Sequence, residues 1–132
     1  MQRMSVIFAE PYRIELDQSA IPAPGDEEVL VKTRISAISP GTEMLVYRGQ
    51  LGTGIQTDTA IPELARPFGY PLAYGYACVG QIVEVGQSVD SKWLGKNVFC
   101  FHPHESHFTR RTDDLITLPE DIDPDDAVLL AS

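Results

Sequence analysis

The chain has 132 residues, a length that suits one domain. Hydrophobic residues make up 43% of it and charged residues 22%, which is ordinary for a globular protein and excludes an intrinsically disordered chain. Nineteen acidic against ten basic residues give a net charge of −9, which argues against nucleic acid and anionic membrane surfaces as partners.

The composition also bears on fold class and compartment. Ten prolines and ten glycines favour a mainly β fold with frequent turns. No apolar run has the length of a membrane span, and the first residues do not have the pattern of a secretory signal. We therefore expect Cys78 and Cys100 to be reduced and the protein to be cytoplasmic.

Alternating apolar and polar residues predict about seven short strands. The predicted strands cover residues 4–8, 12–16, 28–38, 77–85, 98–101, 107–111 and 115–118. In the clearest of them, five residues are predicted to share one face: Val29, Val31, Thr33, Ile35 and Ala37. Gly80 interrupts another strand and indicates a bulge or a close backbone approach.

Two short helices are predicted between and after the strands. Thr42 is a plausible N-cap for a helix that runs to about residue 48, with Glu43 in its first turn. Asp123 followed by Pro124 predicts the start of a second helix. Residues 49–71 are irregular, which fits either a functional loop or a surface excursion.

Three stretches of the sequence carry a family resemblance. Residues 29–49 read VLVKTRISAISPGTEMLVYRG and residues 70–89 read YPLAYGYACVGQIVEVGQSV. The third stretch combines LGKNVF, HFTRR and LITLPEDIDPDDAVLL. Together, and in this order, they resemble the N-terminal half of medium-chain dehydrogenases/reductases, the alcohol dehydrogenase and quinone reductase superfamily.

This resemblance implies a fold and a domain plan. It implies a GroES-like, partly open β-barrel with a few short helices, formed by residues 1–122. Residues 123–132 would begin a linker helix to a Rossmann domain that binds NAD(P). The glycine fingerprint of such a domain is missing here, since residues 52–57 lack its third glycine. We expect NAD(P), with NADP preferred, as the cofactor of the full-length enzyme.

The resemblance also shows departures at the zinc positions. Zinc-dependent members hold the metal with a Cys in the first loop and a His in a Gly-His-Glu motif. The alignment places Pro40 at the cysteine, Tyr76 at the histidine and Ala77 at the glutamate. A catalytic zinc needs three protein ligands, so we expect an enzyme without zinc.

Three residues are candidates for catalysis. Thr42 falls where zinc-dependent relatives carry a proton-relaying hydroxyl, although an N-cap role accounts for it equally. Tyr76 has a phenol that could donate a proton to a substrate carbonyl, or it fills the space that the metal leaves. His102 begins the only histidine cluster, which the alignment places near the substrate pocket.

Other candidates concern binding. We expect Tyr47, His104 and Glu43 to contact substrate, with the first-turn carboxylate of Glu43 alternatively capping the helix. Ser39 and Pro40 are the candidates for contact with the cofactor. The histidine cluster at residues 102–107 could instead be a polar surface loop or, less in keeping with its spacing, a cupin-like metal site.

Two functions remain open. In the first, the chain is the substrate-side domain of a zinc-independent NAD(P)-dependent oxidoreductase, which moves hydride between nicotinamide and a carbonyl, an alcohol or an activated alkene. Its partners would be a small-molecule substrate, the missing Rossmann domain and a second copy of the chain, and alone it would be inactive. In the second, it is a stand-alone GroES-like binding or oligomerisation module.

Overall fold

The structure is a computed structural model that describes residues 2–50 and 69–131. These residues form seven strands and two short α-helices. The strands are β1 (Gln2–Glu10), β2 (Arg13–Ala20), β3 (Glu28–Ala37), β4 (Ala77–Val85), β5 (Asn97–Cys100), β6 (His107–Arg111) and β7 (Ile116–Thr117). The helices are α1 (Pro40–Arg48) and α2 (Pro124–Ala127). The mainly β fold predicted from the turn-rich sequence is confirmed.

The strands form one antiparallel sheet and a separate hairpin. The sheet has the order β6-β3-β4-β5-β7, and β1 pairs only with β2. Two backbone hydrogen bonds connect the hairpin to the loop between β5 and β6: Val6 N donates to His104 O at 2.9 Å, and Ser106 N donates to Met4 O at 2.8 Å. The sheet therefore curves toward the hairpin without closing, which confirms the partly open barrel.

Apolar residues are buried on both faces of the sheet. One cluster contains Val29, Val31, Cys78, Ile82, Val98, Cys100, Phe108 and Leu115. The opposite cluster contains Ala77, Val79, Phe99, Ala127 and Val128. Both cysteines are free and buried, as expected. Because α2 and the turn after it supply two members of the second cluster, the C-terminal helix covers one face of the sheet.

A bulge in β3 changes which residues share a face. Thr33 pairs with Gly80 but Ile35 pairs with the next residue, Val79, so that Arg34 is an extra residue. As a result, Ile35 and Ala37 pack against the second cluster and not the first. The predicted single face is therefore wrong in its second half, since simple alternation cannot register an inserted residue.

Gly80 lies at this bulge and allows the strands to approach closely. A Cβ atom there would lie 2.5 Å from Val31 Cγ1 and 2.7 Å from the carbonyl oxygen of Lys32. No larger residue fits without displacing the backbone of β3. The close approach predicted for Gly80 is confirmed.

Helix α1 begins earlier than predicted. Its N-cap is Ser39 and Pro40 is its first residue, so the N-cap assigned to Thr42 is wrong. Proline suits this position because it lacks an N–H that would have no partner in the first turn. The Glu43 side chain, one residue beyond the usual capping-box position, accepts a hydrogen bond from the Ser39 backbone N–H. The helix ends at Gly49, which has a φ of 68°.

Helix α2 begins as predicted. The Asp123 side chain accepts from the backbone N–H of Asp125 at 2.9 Å, and Pro124 is the first helical residue. Across residues 2–50 and 69–131, no helix has both the length and the apolar character needed to cross a bilayer. Most of the irregular segment predicted at 49–71 lies outside the described residues.

Candidate active site

Four segments meet at one end of the sheet. They are the end of β3, the start of α1, the residues just before β4, and the loop between β5 and β6. Since Ala37 pairs with Ala77, the residues after β3 and those before β4 emerge side by side. This pairing brings together residues that are almost forty positions apart in the sequence.

The first polar contact at this end joins Tyr76 to Ser39. The Tyr76 hydroxyl donates to Ser39 Oγ at 2.7 Å. The pair borders a cavity of about 180 Å³. The cavity is lined by Ala37, Ile38, Ser39, Pro40, Tyr76, Ala77, Val128 and Leu129, and we call it the cleft. Its remaining walls are apolar, so the phenol and the serine hydroxyl are its main polar groups.

A second polar group lies beside the cleft and contains Ser36, His104 and Glu43. His104 Nε2 donates to Glu43 Oε1, because a carboxylate can only accept. Ser36 Oγ is hydrogen-bonded to the other ring nitrogen, Nδ1. Glu43 is only 2% exposed, and its second oxygen accepts from the Ser39 N–H. The buried Glu43 carboxylate is thus held by the His104 ring and by the N-cap residue of α1.

Gly75 holds the His104 ring in place. Its φ is 141°, a conformation that favours glycine, and a Cβ atom there would lie 2.8 Å from His104 Nε2. The ring therefore packs directly on the backbone before β4. The position of His104 is set by this contact as well as by its two hydrogen bonds.

A further cavity, of about 290 Å³, opens in front of this group. It lies between the β1–β2 hairpin and α1, and we call it the hairpin cavity. It is lined by Val6, Phe8, Ile14, Ser36, Ile38, Glu43, Met44 and His104. Ile38 lines both this cavity and the cleft and is 70% exposed, so the two spaces are neighbours on either side of one side chain.

His102 belongs to a different network. Arg110 donates to His102 Nδ1 from Nη2 at 3.0 Å and from Nε at 3.2 Å. Since Nδ1 accepts, Nε2 carries the proton and donates to Glu105 at 2.6 Å. The ring also stacks on Phe108 with the centroids 3.8 Å apart. Both ring nitrogens and one ring face are therefore occupied.

The charges of this network follow from its contacts. Burial lowers the pKa of His102, and the Arg110 charge lowers it further, against the opposing effect of the Glu105 hydrogen bond. Burial raises the pKa of Glu105, but hydrogen bonds from His102 and Ser5 outweigh it and the net pKa is lowered. A neutral imidazole therefore bridges a guanidinium and a carboxylate.

The chain as a whole can now be compared with known proteins. Residues 25–116 match the model of the alcohol dehydrogenase GroES-like domain. The chain belongs to this family. A GroES-like domain of this kind is the N-terminal part of medium-chain dehydrogenases/reductases, so the family resemblance of the three sequence stretches is confirmed.

A curated relative of this GroES-like domain is 2-desacetyl-2-hydroxyethyl bacteriochlorophyllide A dehydrogenase of Cereibacter sphaeroides. The two are 33% identical over 113 residues, which is 80% of this chain. The match covers only 31% of the relative. The chain therefore spans about a third of the length of the curated relative that it matches.

Solved structures show the same fold. A cyclopropanase of the curacin A pathway covers 97% of this chain with a TM-score of 0.77 and 20% identity. A dehydrogenase of E. coli in complex with NADH covers 96% with a TM-score of 0.72 and 19% identity. This GroES-like domain accounts for 39% and 41% of those chains, respectively.

Four of the five predicted binding residues and the predicted catalytic residue Tyr76 line one of the two cavities. Ser39, Pro40 and Tyr76 line the cleft, while Glu43 and His104 line the hairpin cavity.

Three predicted residues lie elsewhere. Thr42 lies half-buried on α1 and lines neither space. Tyr47 packs edge-to-face on Tyr12 at 5.4 Å, away from the cleft. His102 lies in the network with Arg110 and Glu105. Among the described residues, no group of three or more His, Cys, Asp or Glu side chains is arranged to hold a metal ion.

Ser36 is the residue that sequence reasoning missed. Simple alternation would place Ser36 on the polar face of β3, opposite Val29, Val31 and Thr33. The bulge after Thr33 turns it instead toward the loop that carries His104. A Gly in the partner strand was the only signal of that bulge.

Proposed function

We propose that this GroES-like domain is the substrate-side part of a zinc-independent NAD(P)-dependent oxidoreductase. The observation that carries the proposal is the hydrogen bond from Tyr76 to Ser39 at the cleft, beside Pro40. Tyr76 and Pro40 stand where the resemblance places two zinc ligands, and the fold brings both positions to one cavity. A polar pair thus occupies the place of the metal.

The residues at these positions do not fit a catalytic zinc. Such a site takes three side-chain ligands and keeps one position open. Pro40 and Ala77 have no side-chain donor atom, and the Tyr76 hydroxyl is already hydrogen-bonded. We therefore assign no step of the reaction to a metal ion.

The reaction that suits this cleft is hydride exchange with an oxygen-bearing carbon. When bound, the nicotinamide supplies or accepts the hydride. In the reduction, the Tyr76 O–H turns from Ser39 to the developing oxyanion and transfers its proton, and the Ser39 hydroxyl then donates a hydrogen bond to the phenolate. In the oxidation, the Tyr76 phenolate accepts the proton of the substrate hydroxyl. Ser39 orients the phenol, while the apolar walls of the cleft exclude water.

The name of the curated relative supports a dehydrogenase. It favours an alcohol and carbonyl pair as substrate and product over an activated alkene. Tyr76 is the one of the three predicted catalytic residues that lines the cleft, and we place the proton transfer there. The contacts of His102 with Arg110 and Phe108 favour a structural role, and Thr42 remains a sequence prediction.

Binding of the nucleotide requires more than these 132 residues. Relatives and structural neighbours are more than twice as long, and the dinucleotide fingerprint is missing from this sequence. We propose that the chain alone is inactive and that the complete protein prefers NADP(H) to NAD(H).

Calorimetry tests this proposal. NADPH and NADH are titrated into the 132-residue chain and, in parallel, into the product of the entire coding sequence that contains it. We expect binding only by the longer protein, and tighter binding of NADPH. If neither protein binds either nucleotide, the oxidoreductase proposal fails and the stand-alone binding module is favoured.

A further inference from the structure

The hairpin cavity is not used by the reaction proposed above. It lies on the other side of Ile38 from the cleft, and β1 and β2 supply Val6, Phe8 and Ile14 to its walls. Its volume of about 290 Å³ is close to the lower end of the range for small-molecule sites. The lining is almost wholly apolar apart from one corner.

That corner is the group formed by Ser36, His104 and Glu43. In two of its three members, every polar side-chain atom already has a hydrogen-bond partner. Glu43 uses one oxygen for His104 and the other for the Ser39 N–H, and His104 uses both ring nitrogens. Ser36 has one hydrogen bond to the ring, and a hydroxyl can form up to three.

We propose that the hairpin cavity binds an uncharged, mostly apolar alcohol, and that Ser36 Oγ accepts the hydrogen bond of its hydroxyl. When the His104 ring carries one proton, on Nε2, the Ser36 proton must point at Nδ1. The lone pairs of Ser36 are then available to a donor. An alcohol O–H supplies that donor, whereas a ketone of the same size does not.

The charge of the site determines which ligands are excluded. The Glu43 carboxylate is buried at the wall of a space with few polar groups, where an anion is repelled strongly. The net charge of −9 adds to that repulsion. A cation would be attracted to Glu43 but would lose its hydration in a mostly apolar space, beside a carboxylate that already accepts two hydrogen bonds. The preferred ligand is therefore uncharged.

The site is also organised before any ligand arrives. Gly75 packs on the His104 ring, and β1 is hydrogen-bonded to the same loop through Val6 N and His104 O at 2.9 Å. One wall of the cavity and its polar corner are thus connected directly. Little reorganisation is needed on binding, which favours affinity.

Nuclear magnetic resonance of the full chain tests the proposal with three probes of equal chain length. They are 2-octanol, 2-octanone and octanoate. We expect 2-octanol to shift the signals of the His104 ring and the Val6 methyl groups. The ketone should bind about fivefold more weakly, in line with one lost hydrogen bond. Octanoate should bind at least about tenfold more weakly.

Variants distinguish the hydrogen bond from simple burial. Ser36→Ala should weaken 2-octanol about fivefold and leave 2-octanone unchanged, while Ser36→Thr should keep most of the affinity for the alcohol. Ser88→Ala is the matched control, because Ser88 is an exposed turn residue. Val6→Phe should fill the cavity and abolish the shifts of all probes.

Three results would overturn the proposal. They are octanoate binding as tightly as 2-octanol, equal affinity of the alcohol in Ser36→Ala and the original chain, and no shift by any probe. Folding of each variant is checked by the dispersion of its amide signals. None of these measurements involves a nucleotide, so a failure here is distinct from a failure of the proposed oxidoreductase function.

Discussion

The loop between β5 and β6 lies between two polar networks. Each contains a buried histidine and a glutamate, but their other partners differ. On one side, His102 bridges Arg110 and Glu105 and stacks on Phe108. On the other side, His104 bridges Ser36 and Glu43. The two imidazole side chains are equally buried, each 11% exposed.

The difference between the networks lies in the partners. Glu105 has Ser5 at 2.7 Å and Arg3 at 3.8 Å besides His102, so its charge is compensated several times. Glu43 is more deeply buried and, within residues 2–50 and 69–131, has His104 and one backbone N–H as its hydrogen-bond partners. Burial of a histidine therefore does not define its role. Its role depends on how many other groups form hydrogen bonds or ion pairs with its acidic partner. It also depends on whether a cavity lies beside it.

The largest expected effect comes from removing the cavity-side histidine. His104→Ala leaves the Glu43 carboxylate buried with a single hydrogen-bond partner and removes the ring that packs on Gly75, and it should lower the free energy of unfolding by about 2–4 kcal/mol. Urea denaturation measures it. Adding Glu43→Gln removes the stranded charge and should restore part of the loss. A double variant less stable than His104→Ala would contradict this assignment.

A smaller loss is expected on the other side of the loop. His102→Ala removes one hydrogen bond of Glu105 and the stack on Phe108 but leaves Arg3 and Ser5 in place. The free energy of unfolding should fall by about 1.5–3 kcal/mol. The same denaturation experiment compares it with His104→Ala. Should His102→Ala prove the more damaging, the contrast between the two networks would be wrong.

The pH dependence of stability tests the His102 network together with His107, whose pKa is also lowered, first by burial and then by the Lys32 charge. The pKa values of His102 and Glu105 are both lower in the folded protein than their ordinary values of 6.5 and 4.5. The unfolded chain therefore binds more protons, and stability should fall as the pH drops below about 6.5 and again below about 4.5. Thermal unfolding across this range measures the decline. The first decline should be smaller in His102→Gln, and an unchanged profile would contradict the assignment.

The smallest expected effect concerns Cys78, a residue of the apolar core. Burial raises the pKa of the Cys78 thiol to about 11, so only a small fraction is thiolate at about pH 8. Iodoacetamide should label Cys78 slowly in the native protein and rapidly in urea. Exposed thiol in a mutant of either network would then report local opening. Fast labelling of the native protein would show that this core is looser than described.

The sequence predicted the strands better than the site. All seven strands appear at or near their predicted positions, because alternation and turn residues are local signals. The start of α1 was misplaced by three residues, since Ser39-Pro40 and Thr42 are both acceptable helix starts. The family motifs align Pro40 and Tyr76 with two zinc ligands, and both residues line the cleft.

What could not be predicted depends on long-range packing. The bulge at Arg34 reverses the face of Ser36 and has no signature in β3 itself. Likewise, simple alternation would place His102 and His104 on one side, but their loop is not a strand and each ring contacts a different carboxylate. Sequence spacing gives no information on which of two carboxylates, Glu43 or Glu105, a given histidine contacts.

We propose that a tyrosine and a serine take the place of a catalytic zinc. The most direct test is NADPH-dependent reduction of a carbonyl by the complete protein, measured with and without a zinc chelator and in Tyr76→Phe. Tyr12→Phe is the control, because Tyr12 lies on the exposed turn of the hairpin, 64% exposed. We expect activity to persist in the presence of the chelator. It should fall at least about a hundredfold in Tyr76→Phe and stay unchanged in Tyr12→Phe. Activity that is lost with the chelator, restored by zinc and unaffected by Tyr76→Phe would contradict it.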